Sequence, residues 1–333
     1  ENIHTRGDVT RTWRVEGENT DDRSSYFCAV NWGKKSIAID LNSNEGRDIV
    51  YKLVRQADIL IASYKAGDAE KFGVDFKTIS SINSKIVYGQ ITGFGPDNSR
   101  VGYDAVIQAE AGFMFMNGEP HGNSLKMPVA LMDILAAHHL KEGLLLALLR
   151  RHETGKGDLV HVSLLQSAIA SLANQASNWL VAGVIPQKQG SAHPNIAPYG
   201  DLFATSDGHE ILLAIGSDAQ FAAICDILKI SREESRQYGS NPLRVKNRLE
   251  LNHLLAGRIR TFALAEFTAP LNRANIPYGL VKNVKEVFEA PEAQQLLLRS
   301  ADLKGVKTFI ASPFQNISSH FLPPPHYGEH SSE

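Results

Sequence analysis

The shortages in this 333-residue sequence say as much as its contents. Cysteine is nearly absent: Cys28 and Cys225 are the only two, far apart and at no metal-ligand spacing. Neither a disulfide scaffold nor a structural metal site is expected, and the pair reads as free thiols in a reducing compartment. An excess of one charge is missing as well. The 34 Lys and Arg against 36 Asp and Glu leave a net charge of -2, and no basic stretch is interleaved with aromatics, which argues against a nucleic-acid partner. No apolar run is long enough to span a bilayer; the richest, residues 132–149, is interrupted by His138, His139, Lys141 and Glu142, so no membrane association is expected. The opening residues are polar and loop-like rather than a signal peptide, which suggests a cytoplasmic protein, or a mitochondrial one in a eukaryote. The common phosphate-cradling and nucleophile-elbow motifs are also absent. No metal and no tightly bound cofactor is expected.

What is present fits an ordinary globular chain. Hydrophobic residues make up 43% and charged residues 21%, close to the averages for soluble domains. The length allows a sizeable core. The first third alternates strand and helix signals. A short alternating strand is expected over 36–41. A helix capped by Asn42 or Ser43 carries Ile49, Val50, Leu53 and Val54 at helical spacing. A compact strand over 58–62 comes next, then a helix capped by Asp75, then a strand over 85–91 stopped by Gly93-Phe94-Gly95-Pro96. Such alternation implies an α/β fold with a parallel, Rossmann-like sheet covered by helices. Ligands bind such sheets beyond the carboxyl ends of the strands, so the loops after Leu41, Ala62 and Ile91 are the places to look.

Residues 134–151 are apolar nearly all round and predict a buried helix. Ser163 and Gln166 have capping-box spacing and open another helix toward Gly183. Residues 185–198 read as a linker. After it the pattern changes. An Asp207-Gly208 turn joins two apolar runs into a hairpin, and helices are expected over 220–228, 246–260 and 263–274. The expected division is a large domain over 1–184, the linker, a smaller α+β domain over 199–297, and a return segment over 298–333 that resumes short strands.

Among candidate groups, Gly93-Phe94-Gly95 reads as a turn. The adjacent His138 and His139 cannot face one metal from a helix and read as packed histidines. Asp133 stands apart, because it precedes an apolar helix. One reading makes it the helix N-cap, its carboxylate accepting backbone N–H bonds. The other makes it a nucleophile toward an activated acyl group in a water-poor pocket. The two are compatible, since amides at a helix start would hold the carboxylate in place and ionised.

Several segments, in this order, resemble the class III CoA-transferases, the formyl-CoA transferase and carnitine CoA-transferase family. They are Gly7-Asp-Val-Thr-Arg-Thr-Trp13, Asn31-Trp-Gly-Lys-Lys-Ser-Ile-Ala-Ile-Asp40, Gly102-Tyr-Asp-Ala-Val-Ile-Gln108, Met132-Asp-Ile-Leu135, Thr154-Gly-Lys-Gly157 and Ala192-His-Pro-Asn-Ile-Ala-Pro-Tyr199. The resemblance covers essentially the whole chain. The segment from His193 to Tyr199 is most similar to members acting on dicarboxylates, such as succinate–hydroxymethylglutarate CoA-transferases.

The resemblance implies that Asp133 attacks a donor acyl-CoA, passing through a mixed anhydride and then an aspartyl-CoA thioester before CoA reaches the acceptor acid. It places Ser63, Tyr64, Lys71 and Tyr103 in the CoA site, with Tyr64 near the adenine and Lys71 near the phosphates. Ser63 stands where the family usually has Asn, Ala66 where it has Pro, and Asn42 where Lys is frequent. A loop over the intermediate would correspond to residues 216–220, which keep Gly216 and Gln220 but are otherwise poor in glycine. The resemblance also implies an interlocked homodimer, and an N-terminal strand–helix–strand unit that this sequence lacks. The same fold hosts α-methylacyl-CoA racemases, but those have His where this chain has Tyr103, a poor proton shuttle near neutral pH. A CoA-binding protein without catalysis is the third alternative.

Overall fold

A computed structural model describes residues 1, 2, 4, 7–308 and 321–332. The chain divides into two compact units, one comprising residues 1–89, 146–159 and 283–333 and the other residues 90–145 and 160–282. The helices and strands used below are numbered in chain order.

In the first unit, α1 (Asn44–Val54) starts where its cap signal places it, with the Ser43 hydroxyl accepting from the Gly46 amide at 2.9 Å. Gly46 is obligatory, because a Cβ there would lie 2.0 Å from the Asp40 carbonyl oxygen. Strand β1 (Ile59–Ala62), α2 (Asp68–Lys71), α3 (Phe76–Ile82) and β2 (Val87–Thr92) come after it. Asp75 caps α3 by accepting from the Thr78 amide at 3.0 Å. Val54, Ala62, Val74, Ile79, Ile86 and Tyr88 form the core between these elements. The strand expected over 36–41 does not form; Ile39 makes only an isolated bridge to Asn2. Its neighbours are hydrogen-bonded elsewhere: the Ser36 amide donates to the His330 ring and the Ala38 amide to the Ser331 hydroxyl. Later in the same unit, β7 (Leu297–Arg299) and β8 (Lys304–Val306) pair as an antiparallel hairpin. The remainder of the tail, residues 309–320, lies outside the described residues.

Two long elements complete the α/β part. Helix α5 (Leu131–Thr154) and strand β3 (Asp158–Ser163) come after α4 (Asp104–Glu110). The parallel sheet has the order β1-β2-β3. Strand β3 has no clear signal in the sequence, squeezed between the stop at Gly155 and the cap at Ser163. Gly157 passes so close to the Ile86 carbonyl that a Cβ would sit 1.9 Å from its oxygen. Helix α5 is not buried all round. Met132, Ala136, Leu140, Leu144 and Ala147 make a narrow buried stripe at helical spacing, whereas Ile134, Leu145, Leu146 and Leu149 are exposed.

The long helix expected from Ser163 is broken into α6 (Leu164–Ala170) and α7 (Ala173–Leu180). Ala173 takes a left-handed φ of 50° at the junction, which no continuous right-handed helix accommodates. Ser163 caps α6 by accepting from the Gln166 amide. The Gln166 side chain takes the Ser163 hydroxyl instead of the Ser163 amide, so a capping box is not formed.

Beyond residue 198, the expected hairpin is present as β4 (Tyr199–Ala204) and β5 (Glu210–Ala214), with Leu202 opposite Leu212 and Phe203 opposite Ile211. Gly208 supplies the positive φ that the turn requires. Strand β6 (Tyr278–Leu280) pairs with the far edge of β5. Helices α8 (Asp218–Ile227), α9 (Asn241–Lys246), α10 (Arg248–Ile259) and α11 (Leu264–Arg273) pack on this sheet. Their core includes Phe203, Ile211, Leu213, Phe221, Leu255 and Phe267. Cys28 and Cys225 are both free and buried, as the cysteine count implies.

Arg244 fastens this part internally. It is 1% exposed, donates to the carbonyls of Ala197 (2.8 Å) and Tyr238 (3.0 Å) and to Asp218 (2.6 Å), and lies over the Phe221 ring. Replacing it by Met keeps volume but orphans two carbonyls. Arg244→Met is expected to cost about 2–4 kcal/mol, read as a lower urea midpoint; an unchanged midpoint would show that the carbonyls find other donors.

Candidate active site

The nucleophile candidate lies in the first turn of α5, and the way that turn is made differs from the sequence expectation. Asp133 is the third residue of the helix, not its N-cap. The first turn is capped from outside: Asp104, which opens α4, accepts the Met132 amide on Oδ1 at 2.7 Å. An acid capping a neighbouring helix meets the same need as a local one, because the first amides of any helix lack intrahelical acceptors. Among the described residues no donor is bonded to the Asp133 carboxylate. Asp104, not Asp133, holds the amide bond expected to keep the nucleophile ionised.

Burial and charge act together on this carboxylate. Solvent reaches one side of Asp133, but protein crowds the rest. Loss of hydration pushes its carboxyl up to about 6, and the negative charge of Asp104 adds to the shift. Asp133 is exposed and remains largely ionised at neutral pH, with a proton affinity above that of an ordinary aspartate.

Gln108 holds Asp104 in turn. It stands one helical turn after Asp104 on α4, is fully buried, and donates from Nε2 to Asp104 Oδ2 at 2.6 Å. Its Oε1 accepts the Met127 amide at 2.8 Å. One carboxylate and one carboxamide therefore fix both ends of the strap 127–132 that leads into α5. Beneath them Ile107, Ala111, Met132, Ala136, Leu164 and Ala168 pack α4, α5 and α6 together. Asp104 and Gln108 fall within the Gly102–Gln108 segment that carries the resemblance, yet neither is assigned a role by it. The signal available in the sequence is their i, i+4 spacing, which puts acid and amide on one helix face. Tyr103, placed in the CoA site by resemblance, is the residue before α4 and is 63% exposed.

The loop between β2 and α4 closes on a pair of glycines. A Cβ on Gly93 would lie 2.6 Å from the Gly102 Cα, and one on Gly102 would lie 2.4 Å from the Gly93 Cα. Inside the loop, Arg100 lies 4.1 Å from the Phe94 ring centroid and is paired with Glu110 of α4. The Gly93-Phe94-Gly95 turn is thus structural, returning the chain to Tyr103 and Asp104.

The remaining CoA-site candidates gather in the first unit, in the loop beyond β1. Tyr64 is half-buried and packs on Phe72 with ring centroids 5.9 Å apart. Burial raises its phenol pKa. The exposed Lys71 ammonium lies 5.5 Å from the same Phe72 ring. An aromatic surface and a cation are thus side by side, the chemistry that a purine and its phosphates need. Ser63 is exposed beside them.

Gly216 and Gln220 also meet each other. Gln220 Oε1 accepts the Gly216 amide at 2.9 Å, while the Gln220 amide donates to Ser217 Oγ, the cap of α8. Residues 216–220 are a helix-capping turn in this conformation. His138 and His139 are exposed on α5 rather than packed in the core, and His138 Nδ1 contacts the Lys141 ammonium at 3.0 Å.

Comparison with known proteins shows the family of the chain. The profile of CoA-transferase family III matches residues 2–331. The succinate–glutarate CoA-transferase of Agrobacterium fabrum is 34% identical, over 98% of this chain and 85% of its own. The human succinyl-CoA:glutarate CoA-transferase is 32% identical, over 98% of this chain and 76% of its own. The crystal structure of a CaiB/BaiF family protein from Brucella suis superposes with a TM-score of 0.80 at 35% identity, covering 98% of this chain and 87% of the other. With a family-wide match from end to end and the same fold in a solved relative, the chain belongs to CoA-transferase family III, whose members transfer CoA between acids.

Proposed function

We propose that this enzyme moves CoA from an acyl-CoA donor to a carboxylic acid acceptor, with small dicarboxylic acids as substrates and Asp133 as the covalent carrier. The observation that carries the reading is a carboxylate in the first turn of a helix with no hydrogen-bond donor of its own, among the described residues, and a raised pKa. The succinate and glutarate in the relatives' names support the dicarboxylate class.

The steps balance without external energy. An Asp133 oxygen attacks the donor thioester carbonyl; the carbon–sulfur bond breaks, leaving a mixed anhydride and CoA thiolate. The thiolate attacks the aspartyl carbonyl, expelling the donor acid as its carboxylate and leaving an aspartyl-CoA thioester. An acceptor carboxylate attacks that thioester, giving a second anhydride and thiolate. Attack of the thiolate on the acceptor carbonyl frees acceptor acyl-CoA and regenerates Asp133. Loss of hydration favours the first step, since a poorly solvated carboxylate loses less on becoming an acyl group. The anhydrides must be kept from water, which we assign to residues 216–220. In that role Gln220 would release Gly216.

Tyr64, Lys71, Ser63 and Tyr103 are assigned to CoA, Tyr64 to the adenine and Lys71 to the phosphates. The enzyme is assigned as a homodimer, because Leu180 and Val181 at the end of α7 are 78% and 85% exposed and Leu145, Leu146 and Leu149 of α5 are also uncovered. Exposed apolar surface of this kind marks an interface.

Asp133→Ala is expected to lower kcat about 10⁴-fold or more, with binding of CoA retained. Mass spectrometry of wild-type enzyme quenched during turnover should find the acyl or CoA adduct on the Asp133 peptide; its consistent absence there would overturn the assignment. Because the nucleophile must be ionised, activity should fall as pH drops through about 6. For stability the sign runs the other way from an ordinary salt-bridged Asp. A carboxyl whose folded pKa lies above its unfolded one favours the fold when protonated, and that contribution is lost as pH rises through about 6. Asp133→Asn should therefore melt above wild type at pH 7.5, with the difference vanishing below about pH 4; an Asn variant less stable at pH 7.5 would contradict the cause given for the shift. Light scattering should return twice the chain mass, and a monomer would refute the dimer.

A further inference from the structure

We propose that Gln108 is a positioning residue for the transfer reaction: its carboxamide, by holding Asp104 and the Met127 amide together, sets where the Asp133 carboxylate sits and which charge it faces. The inference deepens the role proposed for Asp133 and rests on it.

The position makes two opposite demands. The side chain at 108 is fully buried and meets an acceptor oxygen of Asp104 at 2.6 Å and a donor amide of Met127 at 2.8 Å. A group with a donor and an acceptor on one carbon serves both, and a carboxamide is the one that does so at every pH, since a carboxylic acid loses its donor on ionising. A carboxylate would face Asp104 with a second negative charge. A thioether would leave both partners unbonded in a buried place, where an unmade hydrogen bond is costly. The Val129 carbonyl, 3.5 Å from Nε2, lies on the same side, so Gln108 reaches the strap at two points.

The strap matters because residues 127–132 run directly into the first turn of α5. Met127 on Gln108 and Met132 on Asp104 anchor its two ends, beside the longer Gln108–Val129 contact and the contacts of Asn117 and Lys126 at Met127. Asp133 is the next residue. The hydrophobic packing of Met132 and Ala136 fixes the helix axis, but packing does not specify the height of the first turn against α4. Hydrogen bonds do, since they fix distances to a few tenths of an ångström. Covalent transfer is sensitive at that scale: a misplacement of about 1 Å costs on the order of 10²-fold in rate.

Gln108 also controls charge. Asp104 is the one charged neighbour with a resolved influence on Asp133, and α6, which packs on the same site, contributes Leu164, Leu165 and Ala168. The donated N–H of Gln108 holds Asp104 as the cap of Met132 and so fixes the place of the negative charge that acts on Asp133. A residue acting only in packing would have no such effect.

The test uses the full chain with two variants, Gln108→Glu and Gln108→Met, beside Asp133→Ala. For Gln108→Met, kcat is expected to drop on the order of 10²-fold with KM for acyl-CoA changed less than about threefold. For Gln108→Glu, close in shape, the acid limb of the kcat/KM profile is expected to move to higher pH, because an added carboxylate makes ionisation of Asp133 harder. Wild-type kcat and an unmoved limb in soluble, folded Gln108→Glu would overturn the inference. So would a loss of activity in both variants that is uniform across pH and matched by loss of folded protein. If Asp133→Ala keeps its activity, the nucleophile assignment fails, whatever the Gln108 variants do; if Asp133→Ala is inactive and both Gln108 variants behave as wild type, only the positioning role fails.

Discussion

An aspartate on one helix caps another, and the candidate site depends on that bond. Asp104 accepts the Met132 amide at 2.7 Å, so the first turn of α5 is completed by a side chain from α4. The same carboxylate then faces Asp133 as a like charge. The bond fixes the turn, while lost hydration first and this charge second lift the proton affinity of the residue that turn presents. Much of the surrounding sequence can be understood as serving this arrangement. Gly93 and Gly102 let the chain return to α4 at backbone contact distance, and the cluster of Ile107, Met132, Ala136 and Leu164 holds α4, α5 and α6 in register.

The proposed site would trade stability for chemistry. Among the described residues Asp133 has no hydrogen-bond donor, and its raised pKa means that the ionised form is disfavoured in the fold. The neighbourhood shows the compensation. Asp104 and Gln108 have their hydrogen bonds made, and the core around them is closely packed. One disfavoured ionised group with consistency around it is the pattern expected of a functional site.

The CoA-facing candidates obey a different logic. Tyr64, Phe72 and Lys71 gather because α2 turns back immediately after the strand-ending loop, and the aromatic pair is partly covered by the core of Val54, Ala62 and Val74. Their chemistry is generic to nucleotides, which suits a substrate shared across the family. Selectivity between acids must reside elsewhere, in groups that contact the acyl chain.

Local signals are legible in the sequence wherever one residue and its near neighbours decide the outcome. The Ser43 and Asp75 caps, strands β1 and β2 and the Asp207-Gly208 hairpin all depend on short-range chemistry: a hydroxyl or carboxylate reaching an amide three residues on, or a glycine accepting positive φ. The features that the sequence leaves undecided depend on distant partners. The run over 36–41 has strand composition, but its amides are taken by side chains near 330. Residues 134–151 are apolar nearly all round, but only tertiary packing chose the stripe from Met132 to Ala147 as the buried face of α5. Above all, the amides at the start of α5 were available to any carboxylate, and Asp133 was the nearest in sequence. The fold gave the Met132 amide to Asp104 of α4, because hydrogen bonds are settled by distance in space and not by nearness in sequence.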